Sequence, residues 1–173
     1  MKASPAMKIR SAPFWLALLL LGSVDAWAQA AANSKKNINC FNTKEVEAEA
    51  EVRAGLGLRG TLRRCARVSQ AGQTALEDWY KFDSENADRI KGAVTMRSNA
   101  IKRIYPNRTA MEQWENDANI ATRAATEIND GVCKAVYDVI DSLKKKGWPG
   151  FKYYAKLQQS LLVDDIPICK ANE

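Results

Sequence analysis

The spacing of apolar residues along the chain predicts a helical protein. From residue 42 onward, apolar positions recur every three or four residues, which is the period of an amphipathic helix rather than of a strand. The first such face is formed by Leu58, Leu62 and Cys65. Asn42 and Glu45 form a capping box ahead of it, so a first helix is predicted from there to Val68. Glycine weakens a helix by up to about 1 kcal/mol relative to alanine, so a break between Gly55 and Gly60 is the alternative.

A second capping box, Thr74 with Glu77, precedes a longer apolar stripe. Its members lie three, four or seven residues apart or at sums of these: Leu76, Tyr80, Ala87, Ile90, Val94, Ile101 and Ile104. Asp83 falls on the stripe, so the helix is expected to break near it. Pro106 ends this segment, because a proline forces the residue before it out of helical geometry.

The most regular pattern in the chain follows a third capping box, Thr109 with Glu112. Its apolar residues alternate at spacings of three and four: Met111, Trp114, Ala118, Ala121, Ala125, Ile128, Val132, Ala135 and Val139. This seam predicts one long helix that ends at Gly147, with the cations of residues 144–146 at the negative end of its dipole. A shorter fourth helix is predicted over Gly150–Leu162.

These segments predict an all-α fold, an up-down bundle of about four helices in a single domain over residues 31–173. The chain has four cysteines whose spacing fits no redox, haem or zinc motif, so two structural disulfides are expected. In an up-down bundle Cys40 and Cys169 lie at one end, and Cys65 and Cys133 lie toward the other. Bonded cysteines have Cα atoms within about 7 Å, so the predicted bonds are Cys40–Cys169 and Cys65–Cys133.

Residues 1–30 have the pattern of a secretory signal peptide. A basic start is followed by an apolar run over Pro13–Val24 and then by small residues, with cleavage expected after Ala28 or Ala30. The apolar run is about a dozen residues, shorter than the ~20 that a membrane-spanning helix needs. We therefore expect a mature chain with no transmembrane segment, located in the periplasm or secreted.

The composition of the chain mainly excludes certain kinds of site and partner. The chain contains no histidine, which removes the commonest general base and the usual zinc and haem ligand. No metal or other cofactor is therefore expected, and an enzyme would have to use carboxylates, lysine or tyrosine. The formal charge of +6 is too small to indicate a nucleic-acid partner.

Two groups of residues are candidate binding sites. Arg59, Arg63 and Arg67 share one face of the first predicted helix and form a candidate anion-binding site, for which a solvated helix face is the alternative. Trp148 and Tyr153 belong to an aromatic group beside a Pro-Gly turn and form a candidate partner surface. Covering of the helical core is the alternative there.

Four carboxylates lie near tryptophans at predicted helix starts: Glu77, Asp78, Glu112 and Glu115. Paired carboxylates can hydrolyse glycosides, but the helix dipole favours acidic residues at these positions in any case. We therefore expect a non-catalytic binding protein, such as an envelope assembly factor, an inhibitor or a partner-binding module. Its partner would be another envelope or secreted protein, or an anionic envelope polymer. The alternatives are a small envelope enzyme that uses carboxylates on glycans and a secreted effector or toxin.

Overall fold

The fold is all-α, as predicted from the sequence. A computed structural model describes residues 39–123 and 128–170, so the predicted signal peptide lies outside the described residues. Five helices occur within the described ranges: α1 (Thr43–Val68), α2 (Gln70–Glu85), α3 (Ala87–Ile104), α4 (Ala110–Arg123) and α5 (Asp130–Leu162). None of these helices is both long and apolar enough to cross a membrane.

Helix α1 is the centre of the fold, because each of the other four helices packs against it. It is continuous to Val68, so the break considered at its glycines does not occur. A methyl group at Gly60 would lie 2.2 Å from the carbonyl oxygen of Ala121, so this glycine permits the close approach of α4. In the described part of the chain, the backbone of α4 lies close to that of α1 alone, and the ion pair between Arg97 and Asp117 joins α4 to α3. Gly60 therefore serves the packing of α4 against α1.

Two hydrophobic clusters form the core on either side of a polar region in α1. The larger joins α1, α2 and α5 and contains Ala54, Leu58, Leu62, Ala75, Trp79, Phe82, Ile140, Leu143, Phe151 and Ala155. The smaller joins the start of α1 to α3 and to the chain after α5, and contains Phe41, Val46, Ala50, Ala100, Ile101 and Val163. Arg53 lies between the two clusters along α1, and Glu49 lies one turn before it within the smaller cluster; both side chains are buried.

Two of the three predicted capping boxes are present. The side chain of Asn42 accepts hydrogen bonds from the backbone N–H groups of Lys44 and Glu45, and Glu45 accepts one from the backbone of Asn42. At the start of α4, Thr109 and Glu112 exchange the same pair of bonds, at 2.7 and 3.2 Å. These interactions satisfy backbone donors that have no partner within the helix.

The capping box predicted at Thr74 is wrong. Helix α2 begins at Gln70, and Ser69 caps it by accepting a hydrogen bond from the backbone N–H of Gly72 at 3.0 Å. A methyl group at Gly72 would lie 2.4 Å from the backbone of Cys65. The chain therefore turns at Ser69, where a side-chain acceptor and a glycine act together, and Thr74 lies inside the helix.

The single long helix predicted from the apolar seam is also wrong. The seam is divided between α4 and α5, because Asn129 accepts a hydrogen bond from the backbone N–H of Val132 and starts a new helix. Ala125 of the seam lies outside the described residues. Met111 and Trp114, at its start, are 63% and 66% exposed. The spacing looks continuous in the sequence because the apolar residues of two successive amphipathic helices happen to follow the same alternation of three and four residues.

The predicted helix end at Gly147 is confirmed by a sharp kink within α5. Gly147 has a φ of 58°, a left-handed conformation that favours glycine. Pro149 follows two residues later, in the first turn of the second part of the helix, where its missing N–H needs no partner. The kink turns the aromatic residues after it back toward α1 and α2, as their contacts below show.

Both disulfides pair as predicted. Cys40 is bonded to Cys169 with a Cα–Cα distance of 5.0 Å, and Cys65 to Cys133 with 5.7 Å. The first bond joins the two ends of the described chain, where Phe41 also exchanges backbone hydrogen bonds with Pro167 and Cys169. The second joins the end of α1 to the first turn of α5.

Candidate functional site

A cleft of about 240 Å³ opens beside α1, where side chains from all five helices converge. We call it the aromatic cleft. The residues that define it here are Gly55, Leu56 and Arg59 of α1, Trp79 and Asp83 of α2, Val94 and Arg97 of α3, Asp117 of α4, and Trp148 and Phe151 of α5. Its walls are mostly apolar, and a few charged groups lie among them.

The inner wall of the cleft belongs to a cluster of four aromatic rings. Trp79 is only 1% exposed, and its ring lies 5.7 Å from that of Phe82 and 6.0 Å from that of Phe151, centroid to centroid. Trp148 adds a fourth ring, 5.1 Å from Phe151, and Arg89 lies over its face. Packing of this cluster in the larger core fixes the positions of the rings that face the cleft.

The cleft exists in part because α1 has a glycine opposite these rings. A methyl group at Gly55 would make ordinary contacts with Trp79 at 3.8 Å and with Phe151 at 3.9 Å. Any longer side chain at this position would extend into the space that is open. Gly55, which the sequence indicated only as a weak point of the helix, thus leaves room beside the aromatic rings.

Two buried hydrogen-bond donors of the cleft residues have no acceptor in the protein. They are the indole Nε1–H of Trp79 and the Nε–H of Arg59. The guanidinium of Arg59 also approaches Asp83, but the distance of 3.6 Å is too long for a hydrogen bond. Because a buried donor without a partner destabilises a fold by about 1–3 kcal/mol, such groups are rare in folded proteins.

One side of the cleft rests on a chain of ion pairs that we call the ion network: Asp165, Arg53, Glu49, Arg97 and Asp117. Its three inner members, Arg53, Glu49 and Arg97, are buried, whereas Asp165 at one end is exposed. Glu49 accepts from the Nε–H groups of Arg53 and Arg97 at 2.5 and 2.6 Å. Arg97 donates its two Nη groups to Asp117, at 2.9 and 2.6 Å, and Arg53 donates to Asp165. The network therefore holds α3 and α4 against α1.

Electrostatics within the network favour the charged state of its arginines. Burial alone would lower the pKa of Arg97, but its hydrogen bonds with Asp117 and Glu49 and their negative charges outweigh burial and raise that pKa. The same balance, with Asp165 and Glu49, raises the pKa of Arg53. Both guanidinium groups thus stay charged and keep their carboxylate partners.

Each carboxylate that lines the cleft has a cation beside it. Arg97 binds Asp117 through two hydrogen bonds, and Arg59 lies beside Asp83. Glu51, whose side chain is only 12% exposed, lies 3.7 Å from Lys152. Burial raises the pKa of Glu51, and the positive charge of Lys152 opposes that rise.

The three arginines of the candidate anion site do not converge on one point. Arg59 lines the aromatic cleft, whereas Arg63 is exposed and its Nε–H donates to the hydroxyl of Tyr80 at 3.3 Å. Arg67 is exposed in the last turn of α1. Of the three, Arg59 is the one that the fold places in a concave site.

The two aromatic residues of the candidate partner surface also lie in different places. Trp148 is half-buried, lines the aromatic cleft and stacks over Phe82 at 6.4 Å. Tyr153 is 61% exposed and lies outside the cleft, on the same face of α5 as the exposed Leu157 and Leu161. Trp148 therefore belongs both to the core and to the cleft.

The four carboxylates considered for catalysis lie outside the cleft. Asp78 accepts a hydrogen bond from Lys144 at 2.8 Å, and Glu112 caps α4. The hydrogen bonds from Thr109 lower the pKa of Glu112. Glu77 and Glu115 are exposed. Two of these carboxylates thus have structural partners that account for their positions.

The sequence did not reveal Gly55, Trp79, Arg97 or Asp117 as members of a site. They come from four different helices, and no local motif joins them. No protein-family model matches this chain, and comparison with curated proteins and with solved structures found no significant match. The geometry of the aromatic cleft is therefore the basis for a function.

Proposed function

We propose that this chain is an exported, non-catalytic binding protein that holds part of a partner protein in the aromatic cleft. It would act in the periplasm or outside the cell, after removal of residues 1–30. Two disulfides and the lack of a membrane-spanning helix in the described part of the chain are compatible with that location.

The observation that carries the proposal is a mostly apolar cleft that tryptophan and arginine residues line together. Tryptophan and arginine are enriched among the residues that dominate the energy of protein interfaces. Here Trp79, Trp148 and Arg59 line a single cleft. A partner side chain that fills the cleft would bury apolar surface on both molecules.

The size of the cleft favours one large side chain over a long segment. At ~30 Å³ for each water molecule in the liquid, about eight waters would occupy its volume. One aromatic or branched aliphatic side chain, with the polar atoms next to it, displaces about that amount.

A matched pair of glycine variants tests this proposal. In Gly55→Leu the first side-chain carbon fits and the rest of leucine occupies the aromatic cleft. In Gly92→Leu the same change is made in α3, where a side chain would meet nothing within 4 Å. We would use tagged mature protein as bait in envelope and culture fractions of the organism that produces it, with chemical crosslinking and mass spectrometry of the adducts.

We expect the parent protein and Gly92→Leu to capture the same partner, and Gly55→Leu to lose it. Thermal melting of all three proteins establishes that the variants are folded. A rim variant, Val94→Lys, places a charge at the mouth of the cleft on a half-exposed residue and should also lose the partner. Equal capture by all four proteins would contradict a role for the cleft, as would the absence of any partner of the parent.

A further inference from the structure

We infer that the outer face of the second part of α5 is a surface on which two copies of this chain pair in antiparallel orientation. Tyr153, Leu157 and Leu161 lie at intervals of four residues on this face, and we call them the outer stripe. None of the three lines the aromatic cleft, so the inference is independent of the proposed function.

The outer stripe is an apolar surface that the described part of the chain leaves uncovered. Its three side chains, Tyr153, Leu157 and Leu161, are 61%, 60% and 75% exposed. Phe151 and Ala155, on the opposite side of the same helix, are buried in the larger core. Because the helix is already anchored through that side, the stripe is free for a further contact, and exposed apolar strips of this kind are typical of interaction surfaces.

The rest of the mature chain has little apolar surface with which to cover the stripe. Residues 31–38, 124–127 and 171–173 lie outside the described ranges, and together they contain one large apolar residue, Ile38. A separate molecule is therefore the better occupant.

Opposite charges lie at the two ends of the stripe. A methyl group at Gly150 would lie 2.6 Å from the Cβ of Lys146, so Lys146 lies at the end of the stripe that begins with Tyr153. Asp164 follows the last turn of α5, three residues after Leu161. Both charged residues are exposed, and neither has an ion-pair partner among the described residues.

This arrangement of charges is complementary to itself when one copy is turned end to end. Leu157 is the midpoint of the stripe, because Gly150 and Asp164 are each seven residues from it, or about 10 Å along a helix. A twofold axis at Leu157 places Lys146 of each copy opposite Asp164 of the other. The same axis packs Tyr153 of each copy beside Leu161 of the other.

The two charged ends favour a second copy over an anionic membrane. A lipid surface of one sign attracts Lys146 but repels Asp164 at the other end of the stripe. In the antiparallel pair both ends form attractive contacts, and like charges oppose each other in the parallel arrangement. The geometry therefore selects both the partner and its orientation.

Sedimentation equilibrium of the mature protein at low salt tests the pairing. We would cover about 1–500 µM, because a small interface forms a weak dimer, and we expect a monomer–dimer equilibrium within that range. Leu157→Lys brings two like charges together at the twofold axis and should weaken the dimer at least about tenfold. Met111→Lys is the control: Met111 is equally exposed but lies in α4, and this variant should keep the Kd of the parent. Melting curves establish that both variants are folded.

Exchange of the end charges tests the antiparallel orientation. Lys146→Glu alone and Asp164→Lys alone each place like charges at both ends of the pair, so each should weaken the dimer about fivefold. A mixture of these two variants has opposite charges at both ends. We therefore expect the mixture to form heterodimers with about the Kd of the parent.

Several results would overturn the inference: a parent that stays monomeric throughout the range, a dimer that Leu157→Lys leaves unchanged, or a mixture that associates no more tightly than its components. A monomeric parent that binds phosphatidylglycerol vesicles, with binding lost in Leu157→Lys, would instead assign the stripe to a membrane. Gly55→Leu should dimerise like the parent, so a failure of the pairing is distinct from a failure of the proposed function.

Discussion

The Nε–H of Arg97 donates a hydrogen bond of 2.6 Å to the carboxylate of Glu49, across 48 residues of sequence. Both side chains are buried, and Glu49 is also bound by Arg53. Replacement of a whole buried ion pair by apolar residues is often harmless, but removal of one partner leaves an uncompensated charge. Because Arg97 also lines the aromatic cleft, this contact connects the stability of the fold to the shape of the site.

The first prediction concerns Glu49. The variant Glu49→Gln keeps the size of the side chain but leaves Arg53 and Arg97 without the carboxylate between them. Removal of one member of a buried ion pair lowers the free energy of unfolding by about 3–5 kcal/mol. Urea denaturation followed by circular dichroism measures this difference. Glu47→Gln is the control, because Glu47 is exposed in the same helix, and it should stay within about 0.5 kcal/mol of the parent.

The second prediction is a pH dependence of stability at Glu45. The hydrogen bonds from Arg103 lower the pKa of Glu45, against the opposing effect of burial. A carboxyl whose pKa is lower in the folded state stabilises the fold above its unfolded pKa, and this contribution is lost as the pH falls through the folded pKa. Glu45→Gln should therefore be less stable than the parent at pH 7, and the difference should shrink steadily below pH 4.5. A difference that grows in acid would contradict the assigned contact.

The third prediction concerns the bond between Cys65 and Cys133. Replacement of both residues by alanine removes a crosslink that spans 68 residues, and such crosslinks contribute about 2–5 kcal/mol to stability. We expect a loss of that size in denaturant unfolding of the double variant. Peptide mapping without reduction should still find Cys40 joined to Cys169 in this protein. An exchanged pairing in the parent would contradict the fold described above.

The fourth prediction is that the protein is exported and starts at Gln29 or Ala31. The basic start, the short apolar run and the small residues around Ala28 motivate it. Intact-mass analysis of protein from the envelope and the culture medium identifies the N-terminus. Full-length chain recovered from the cytoplasm would be the contrary result.

The sequence predicted the helical class and the disulfide pairing, but not every helix boundary. The pairing was correct although Cys133 lies in the first turn of α5, because the argument needed only the end of the fold at which each cysteine lies. Boundaries failed where two local signals competed. Ser69 caps α2 in place of Thr74, and Asn129 divides a seam whose apolar spacing alone predicts one helix.

The candidate site was predicted only in part, because it is assembled from distant segments. Arg59 and Trp148 were recognisable as candidates from local pattern, and both line the aromatic cleft. Trp79 appeared as a marker of a helix start, and Gly55 as a weak point of a helix. Their roles depend on which helix faces them, and that information comes from the packing of α1 against α2 and α5.

The most direct test of the central claim, that the aromatic cleft is a binding site, is the NMR signal of the Trp79 indole N–H. The chain has five tryptophans, and removal of residues 1–30 leaves Trp79, Trp114 and Trp148, hence three indole resonances that single phenylalanine variants assign. On addition of the captured partner, we predict shifts of the Trp79 and Trp148 resonances, because both residues line the cleft, and no shift for the exposed Trp114 outside it. Unchanged Trp79 and Trp148 resonances at a saturating concentration of the partner would contradict the claim.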